Sequence, residues 1–299
     1  MSGKTRFGKW LGAAAMALPL LWSAASHAQS VVVGGKNFTE QQIMAELTAQ
    51  LLRKHGFTVE KRDGLGSTVL RTAQENGQID VYWEYTGTSL INYNKITDRL
   101  SPQETYETVK KLDAAKGLVW LDPSKANSTY AFAMNQDQAQ KLGIATISDL
   151  AAAMDKGQKM TFGSNAEFYA RPDGFKPLSK AYGLNFPREA VKRMDTGLTY
   201  SALKERQIDV ALVFATDGRV PAFNFVLLRD DKQFFPSYAL TPVVRQAALD
   251  ANPKMGELLN KLSHAMDDAT MARLNANVDV DKKSIAGVAK DFLESQQLI

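Results

Sequence analysis

Apolar residues recur along this chain in two alternating rhythms. Short β-branched runs read as strands, and between them lie stretches in which apolar side chains return every three or four residues, the spacing of an amphipathic helix. Val31-Val32-Val33 predicts a first strand ending at Gly34-Gly35. Thr39 with Gln42 predicts a side-chain cap for a helix that carries Ile43, Met44, Leu47 and Leu51-Leu52, and His55-Gly56 predicts its end. Residues 57–61 and 79–83 read as the second and third strands, separated by a Gly64-Leu65-Gly66-Ser67 turn and a helix over 68–75. Residues 127–134 alternate as a strand, and the pattern then restarts. Ser148 reads as a helix cap, 159–163 as a strand, 172–182 and 200–206 as helices, and 209–215 as a strand. Helix formers dominate from 246 to 298, and the pattern predicts no internal repeat.

Strands alternating with helices imply an α/β architecture with mainly parallel strands. Crossings between two lobes are expected near residues 134–136 and 235–242. They give a discontinuous first lobe (29–135 plus 237–299), a second lobe (136–236) and a cleft between them.

The N-terminus has a different character. Lys4, Arg6 and Lys9 precede an apolar run over 11–25, and Ser26-His27-Ala28 offers small residues at the spacing of a signal-peptidase site. A run of about 15 residues is short of the roughly 20 that span a bilayer. Residues 1–28 are therefore expected to be an export leader cleaved near Ala28, which places the mature chain in the periplasm. No Cys stands at the cleavage point to accept a lipid.

Without the leader about 270 residues remain, a length that suits two lobes. The formal charge of +4 drops by the three leader cations, since no acidic residue precedes Glu40, so a nucleic-acid partner loses its support. The absence of cysteine removes disulfides and thiol chemistry. Of the three histidines, His27 lies in the leader, while His55 and His264 fall in helical patterns distant from any Ser/Asp grouping. Neither a catalytic triad nor a metal site can be built from them. Gly64-x-Gly66 is only part of a dinucleotide fingerprint, no phosphate-loop pattern occurs, and the carboxylates are scattered. A non-enzymatic monomer without cofactor or metal is expected.

The aromatic residues are placed more tellingly. In an open α/β sheet, ligands bind outside the carboxyl ends of the strands. Tyr85 follows the third strand, with Thr86-Gly87-Thr88 behind it, and Phe214 ends the strand before Thr216-Asp217-Gly218-Arg219. Tyr130 and Tyr238 lie near the two crossings, and Tyr200 lies beside Gly197-Leu198-Thr199. A trimethylammonium group donates no conventional hydrogen bond, and aromatic faces hold its diffuse charge at about 0.5–2 kcal/mol per contact. Core packing is the commoner explanation of each ring taken singly, and composition alone does not outweigh it.

Several strings occur in one order across nearly all of the mature chain: Lys36-Asn37-Phe38-Thr39-Glu40-Gln41, Gly64-Leu65-Gly66-Ser67-Thr68, Glu84-Tyr85-Thr86-Gly87-Thr88, Asn127-Ser128-Thr129-Tyr130-Ala131, Arg171-Pro172-Asp173-Gly174 and Thr216-Asp217-Gly218-Arg219. In these the chain resembles the substrate-binding proteins of ABC importers for glycine betaine, choline and carnitine. The resemblance implies a type II periplasmic-binding-protein fold, with two lobes, two crossover segments and a tyrosine-rich cage in the central ligand cleft. It implies cage roles for Tyr85, Tyr130, Tyr238 and Tyr200, with Phe214 where relatives often carry Tyr, and Pro236-Ser237-Tyr238 where two prolines are expected. A betaine carboxylate would draw on donors in the turns at 36–41 and 66–68, with Thr88, Gln41 and Lys36 as candidates and Asp217 as a further contact. The implied partners are a small quaternary-ammonium ligand and a membrane permease. Two other readings remain: a receptor for another small solute such as an amino acid, which needs a charged pair in the cleft, and a secreted enzyme on the same fold.

Overall fold

The computed structural model describes Met1, Gly3 and residues 30–299, so the leader expected at 1–28 lies, apart from Met1 and Gly3, outside the described residues. The β-branched run forms β1 (Ser30–Lys36), with Val31 and Val33 buried. There follow α1 (Thr39–Lys54), β2 (Thr58–Leu65), α2 (Ser67–Glu75), β3 (Val81–Tyr85), a π-helical turn (Thr88–Tyr93), α3 (Pro102–Ala114) and β4 (Leu118–Trp120). A second unit holds β5 (Tyr130–Asn135), α4 (Gln136–Leu142), α5 (Ile147–Asp155), β6 (Phe162–Ser164), α6 (Ala166–Ala170), α7 (Phe175–Tyr182), β7 (Val191–Arg193), α8 (Thr196–Lys204), β8 (Val210–Phe214), α9 (Arg219–Ala222) and β9 (Phe225–Leu228). The chain then returns through β10 (Leu240–Arg245), α10 (Gln246–Ala251), α11 (Pro253–His264), α12 (Asp268–Asp279) and α13 (Ile285–Ser295).

Two five-stranded sheets result, ordered β2-β1-β3-β10-β4 and β7-β6-β8-β5-β9. β1 runs parallel to β2 and β3, and β6 parallel to β7 and β8. The strands that enter each sheet straight after a crossing, β5 and β10, run antiparallel to their neighbours. The expected α/β architecture with two lobes is therefore present, with mixed rather than wholly parallel sheets.

Local expectations fail where side chains are used for tertiary contacts. Thr39 does not cap α1; its hydroxyl donates to Asp279 at 2.8 Å and ties α1 to α12. Gly34 and Gly35 lie inside β1 rather than ending it. A Cβ at Gly34 would lie 2.5 Å from Leu70 Cδ1, so the glycine lets α2 approach the sheet. Thr146, not Ser148, caps α5, in a capping box with Asp149.

The first crossing also differs. β5 pairs only with β8 and β9, so the chain leaves the first sheet ahead of Tyr130 and not at residues 134–136. The two crossings run side by side: Asn127 bridges Ala239, and Tyr238 N–H donates to the Asn127 side chain at 2.7 Å.

Packing centres on α1, whose Ile43, Met44, Leu47, Leu51 and Leu52 are fully buried between the first sheet and the C-terminal helices. Burying each such side chain contributes about 1.5–3 kcal/mol. A repeat unseen in the sequence pattern joins the two halves. Gln78-Ile79-Asp80-Val81 leads into β3 and Gln207-Ile208-Asp209-Val210 into β8. Asp80 accepts Val32 N–H at 2.8 Å, and Asp209 accepts Thr161 N–H at 2.8 Å, which locks the same corner in each sheet.

Candidate functional site

One cleft of about 720 Å³ opens between the sheets, within the size range of small-molecule sites. Strand ends and crossings supply its walls, as expected of α/β sheets. β3 delivers Tyr85 as its last residue and β8 delivers Phe214 as its last; the turn after β1 supplies Phe38. Tyr130 begins β5, and Tyr238 lies in the second crossing.

These rings form a continuous arc. Phe38 lies 6.3 Å from Tyr85 and 5.1 Å from Phe214, centroid to centroid, while Tyr130 lies 5.3 Å from Phe214 and 5.5 Å from Tyr238. Phe168, fully buried, backs Tyr130 at 4.9 Å. Burial pushes the phenols of Tyr85, Tyr130 and Tyr238 above the ordinary tyrosine range, so the rings stay neutral with their electron-rich faces intact.

Hydrogen bonds fix the rings. Tyr85 donates to Glu40 at 2.8 Å, and Tyr238 donates to Asp173 at 2.5 Å. Glu40 also accepts from Ser128 at 2.6 Å, Thr216 at 2.7 Å and Asn275 at 3.3 Å, so one buried carboxylate gathers donors from β3, the first crossing, the turn after β8 and α12. Burial raises its pKa, with these hydrogen bonds pulling the other way.

Two cations already face the rings. Lys36 Nζ is 4.9 Å from the Tyr85 centroid and is paired with Glu84 at 2.5 Å. The Arg171 guanidinium is 5.3 Å from the Tyr130 centroid and grips Asp173 through Nε at 2.7 Å and Nη2 at 2.6 Å. Its remaining nitrogen, Nη1, donates across the cleft to Thr88 at 3.3 Å and to Glu167 at 3.3 Å. Burial opposes the Arg171 charge, but the Asp173 carboxylate beside it favours the charged form and its pKa is raised.

The residues singled out in the sequence separate into two groups. Tyr85, Tyr130, Tyr238, Phe214, Thr88 and Lys36 line the cleft together. Tyr200, Gln41 and Asp217 do not. Tyr200 is fully buried within α8, where its hydroxyl accepts Phe214 N–H at 2.9 Å and its ring lies 3.8 Å from the Arg219 guanidinium; it supports Phe214 from behind. Gln41 is buried in the first turn of α1. Asp217 pairs with Arg219 at 2.6 Å and lines a side chamber of about 180 Å³ instead. Sequence reasoning missed Phe38 and Arg171 as site residues, although both stand in the quoted strings. Among the described residues no cluster of His, Cys, Asp or Glu is arranged to hold a metal ion, and no helix is long and apolar enough to cross a membrane.

The family profile described as the substrate-binding domain of the ABC-type glycine betaine transport system matches residues 29–295. The chain belongs to this family. It is 46% identical over 280 residues to the glycine-betaine-binding protein of Pseudomonas aeruginosa, covering 92% of this chain and 90% of that protein. It is 36% identical over 283 residues to an ergothioneine transport permease/ergothioneine binding protein of Helicobacter pylori, covering 94% of this chain and 50% of that longer protein. Among solved structures, a glycine betaine/carnitine/choline ABC transporter protein superposes with a TM-score of 0.73 at 30% identity, over 90% of this chain and 99% of that one. As a member of this family the chain is a substrate-binding component of ABC import.

Proposed function

We propose that this chain is a periplasmic receptor that captures a quaternary-ammonium compound of the glycine betaine type and hands it to the permease of an ABC transporter. The observation that carries the reading is the arc of rings from both lobes on one cleft, with Arg171 and Thr88 meeting across it at 3.3 Å. The rings suit a trimethylammonium group, which other polar groups cannot hydrogen-bond. Arg171 Nη1 and the Thr88 hydroxyl suit the carboxylate at the other end. The leader read at residues 1–28 supports export.

Capture works by hinge closure about the paired crossings at Asn127 and Ala239. Ser67 of the first lobe donates to Glu167 of the second at 3.0 Å, and Thr88 accepts from Arg171, so the lobes already meet beside the cleft. A ligand that touches rings of both lobes favours the closed state by its differential contacts. No bond is made or broken.

One observation favours a second reading. Glu167 and Arg171 form the charged pair that an α-amino acid would need. Both are engaged, Glu167 by Ser67 and Arg171 by Asp173, which leaves the aromatic reading the stronger. Thermal unfolding with glycine betaine, choline, carnitine, proline betaine and a set of amino acids separates the two. Ligand at a hundredfold its Kd stabilises by about 2.7 kcal/mol, and the quaternary amines are expected to raise the midpoint. A rise with amino acids alone would refute the aromatic cage.

A further inference from the structure

One buried carboxylate stands without a counter-ion. Glu46, Asp80, Glu84, Asp113, Asp173 and Asp217 are buried, and each has a Lys or Arg nitrogen at 2.5–2.7 Å. Glu40 is 5% exposed and, among the described residues, has no such nitrogen within 4 Å. A charge taken out of water is costly unless it is paired. A glutamine of the same size would fill this place without that cost.

The surroundings of Glu40 nevertheless suit the ionised form. A carboxylate offers about four acceptor sites. Here Oε1 accepts from Tyr85 and Ser128, and Oε2 from Thr216 and Asn275, whose nitrogen can only donate. Burial works against the charge, and the four hydrogen bonds work for it.

What lies in front of this charge is the arc of rings. Tyr85 aims its hydroxyl proton at Glu40 and lines the cleft with its ring. Glu40 itself lines the side chamber, and Phe38 and Phe214 stand in the walls of both cavities. Donation to a carboxylate polarises the phenol and enriches the ring face that attracts a cation. The charge also acts directly, because attraction through protein is stronger than through water. The two cations already facing the rings do not answer it: Lys36 is matched by Glu84 and Arg171 by Asp173.

We infer that Glu40 is the counter-charge of the quaternary ammonium, a positioning residue that acts through Tyr85 and makes the cage select a cation over an uncharged head of the same shape. The inference deepens the proposed function and rests on it.

The test compares glycine betaine and choline with the tert-butylacetate anion, in which carbon replaces the nitrogen of glycine betaine and the head carries no charge. Calorimetric titration of the purified protein measures the first two, and displacement of glycine betaine measures the third. Glu40→Gln keeps the size of the side chain and removes its charge. It should weaken glycine betaine and choline about tenfold and leave tert-butylacetate at the same weak affinity within about twofold. A structural role alone would disturb the rings for every ligand. Equal losses for the ammonium compounds and the carbon analogue therefore overturn the inference, as does an unchanged glycine betaine Kd. If Glu40→Gln unfolds, Tyr85→Phe carries the same comparison, since it keeps the ring and breaks its bond to Glu40; the ammonium compounds should then lose more affinity than the analogue. Wild-type protein that binds no quaternary amine brings down the proposed function and the inference with it.

Discussion

Tyr238 donates its hydroxyl to Asp173, and that carboxylate also holds Arg171 through two nitrogens. A ring in the second crossing thus fixes a cation of the second lobe. Tyr238→Phe keeps the aromatic face and removes the hydroxyl, leaving Arg171 Nη1 less well aimed at the cleft. A hydrogen bond to a charged group is worth about 1.5–3 kcal/mol. Titrations should show glycine betaine binding weakened about tenfold or more, with choline, which has no carboxylate, affected much less. Equal losses for both ligands would show that the hydroxyl does not act through Arg171.

Phe38 joins the rings of the two lobes, lying between Tyr85 and Phe214. Phe38→Ala removes this link and one cage face, and it should weaken every quaternary amine by about 0.5–2 kcal/mol. Calorimetry with glycine betaine and choline reads this directly, and the unfolding midpoint without ligand should move little, because Phe38 is only half-buried.

At Gly87 the end of β3 meets the second crossing. A Cβ there would lie 2.7 Å from the Ser237 carbonyl and 2.9 Å from Tyr238 Cε1. Gly87→Ala should push Tyr238 from the arc, lowering stability by about 1–3 kcal/mol and weakening ligand binding. Denaturant unfolding and titration measure the two effects.

The strands that frame the site were legible because burial leaves short runs rich in β-branched and aromatic residues: Val31-Val32-Val33 lies within β1, which continues three residues further to Lys36, and residues 79–83 lie two residues ahead of β3 at either end. The first crossing was not, because β5 has the same alternation whichever sheet it joins, and only its pairing with β8 decides. Tyr85 and Phe214 were legible as strand ends. Tyr200 was misplaced because proximity to a glycine-containing turn says nothing of which side of α8 faces the sheet. Arg171 was hidden because a turn residue enters a cleft only once the lobes are assembled. The Gln-Ile-Asp-Val repeat is four residues long and stands out only when Asp80 and Asp209 are seen to make the same hydrogen bond.

Acid should weaken the first lobe through Asp113. Burial pushes this carboxyl up, but Arg71, at 2.8 and 2.6 Å, outweighs burial and holds it at about 2, below the ordinary 3.8. A depressed carboxyl stabilises the fold above its unfolded pKa and loses that contribution as pH falls through the folded value. The contribution of about 2 kcal/mol, at about 1.4 kcal/mol per pKa unit, should therefore disappear between about pH 4 and pH 2. In Asp113→Asn, unfolding should be easier at neutral pH, and this part of the acid slope should be missing from a series of melting curves.

Calorimetric titration of glycine betaine into wild type and Tyr130→Ala tests the aromatic cage most directly, since Tyr130 touches Phe214 and Tyr238 at the centre of the arc. Three or four cation–π contacts predict saturable wild-type binding at roughly micromolar Kd, and a Tyr130→Ala protein that stays folded with no measurable heat of binding. Equal affinity in the two proteins, or a wild type that binds no quaternary amine at all, would contradict it.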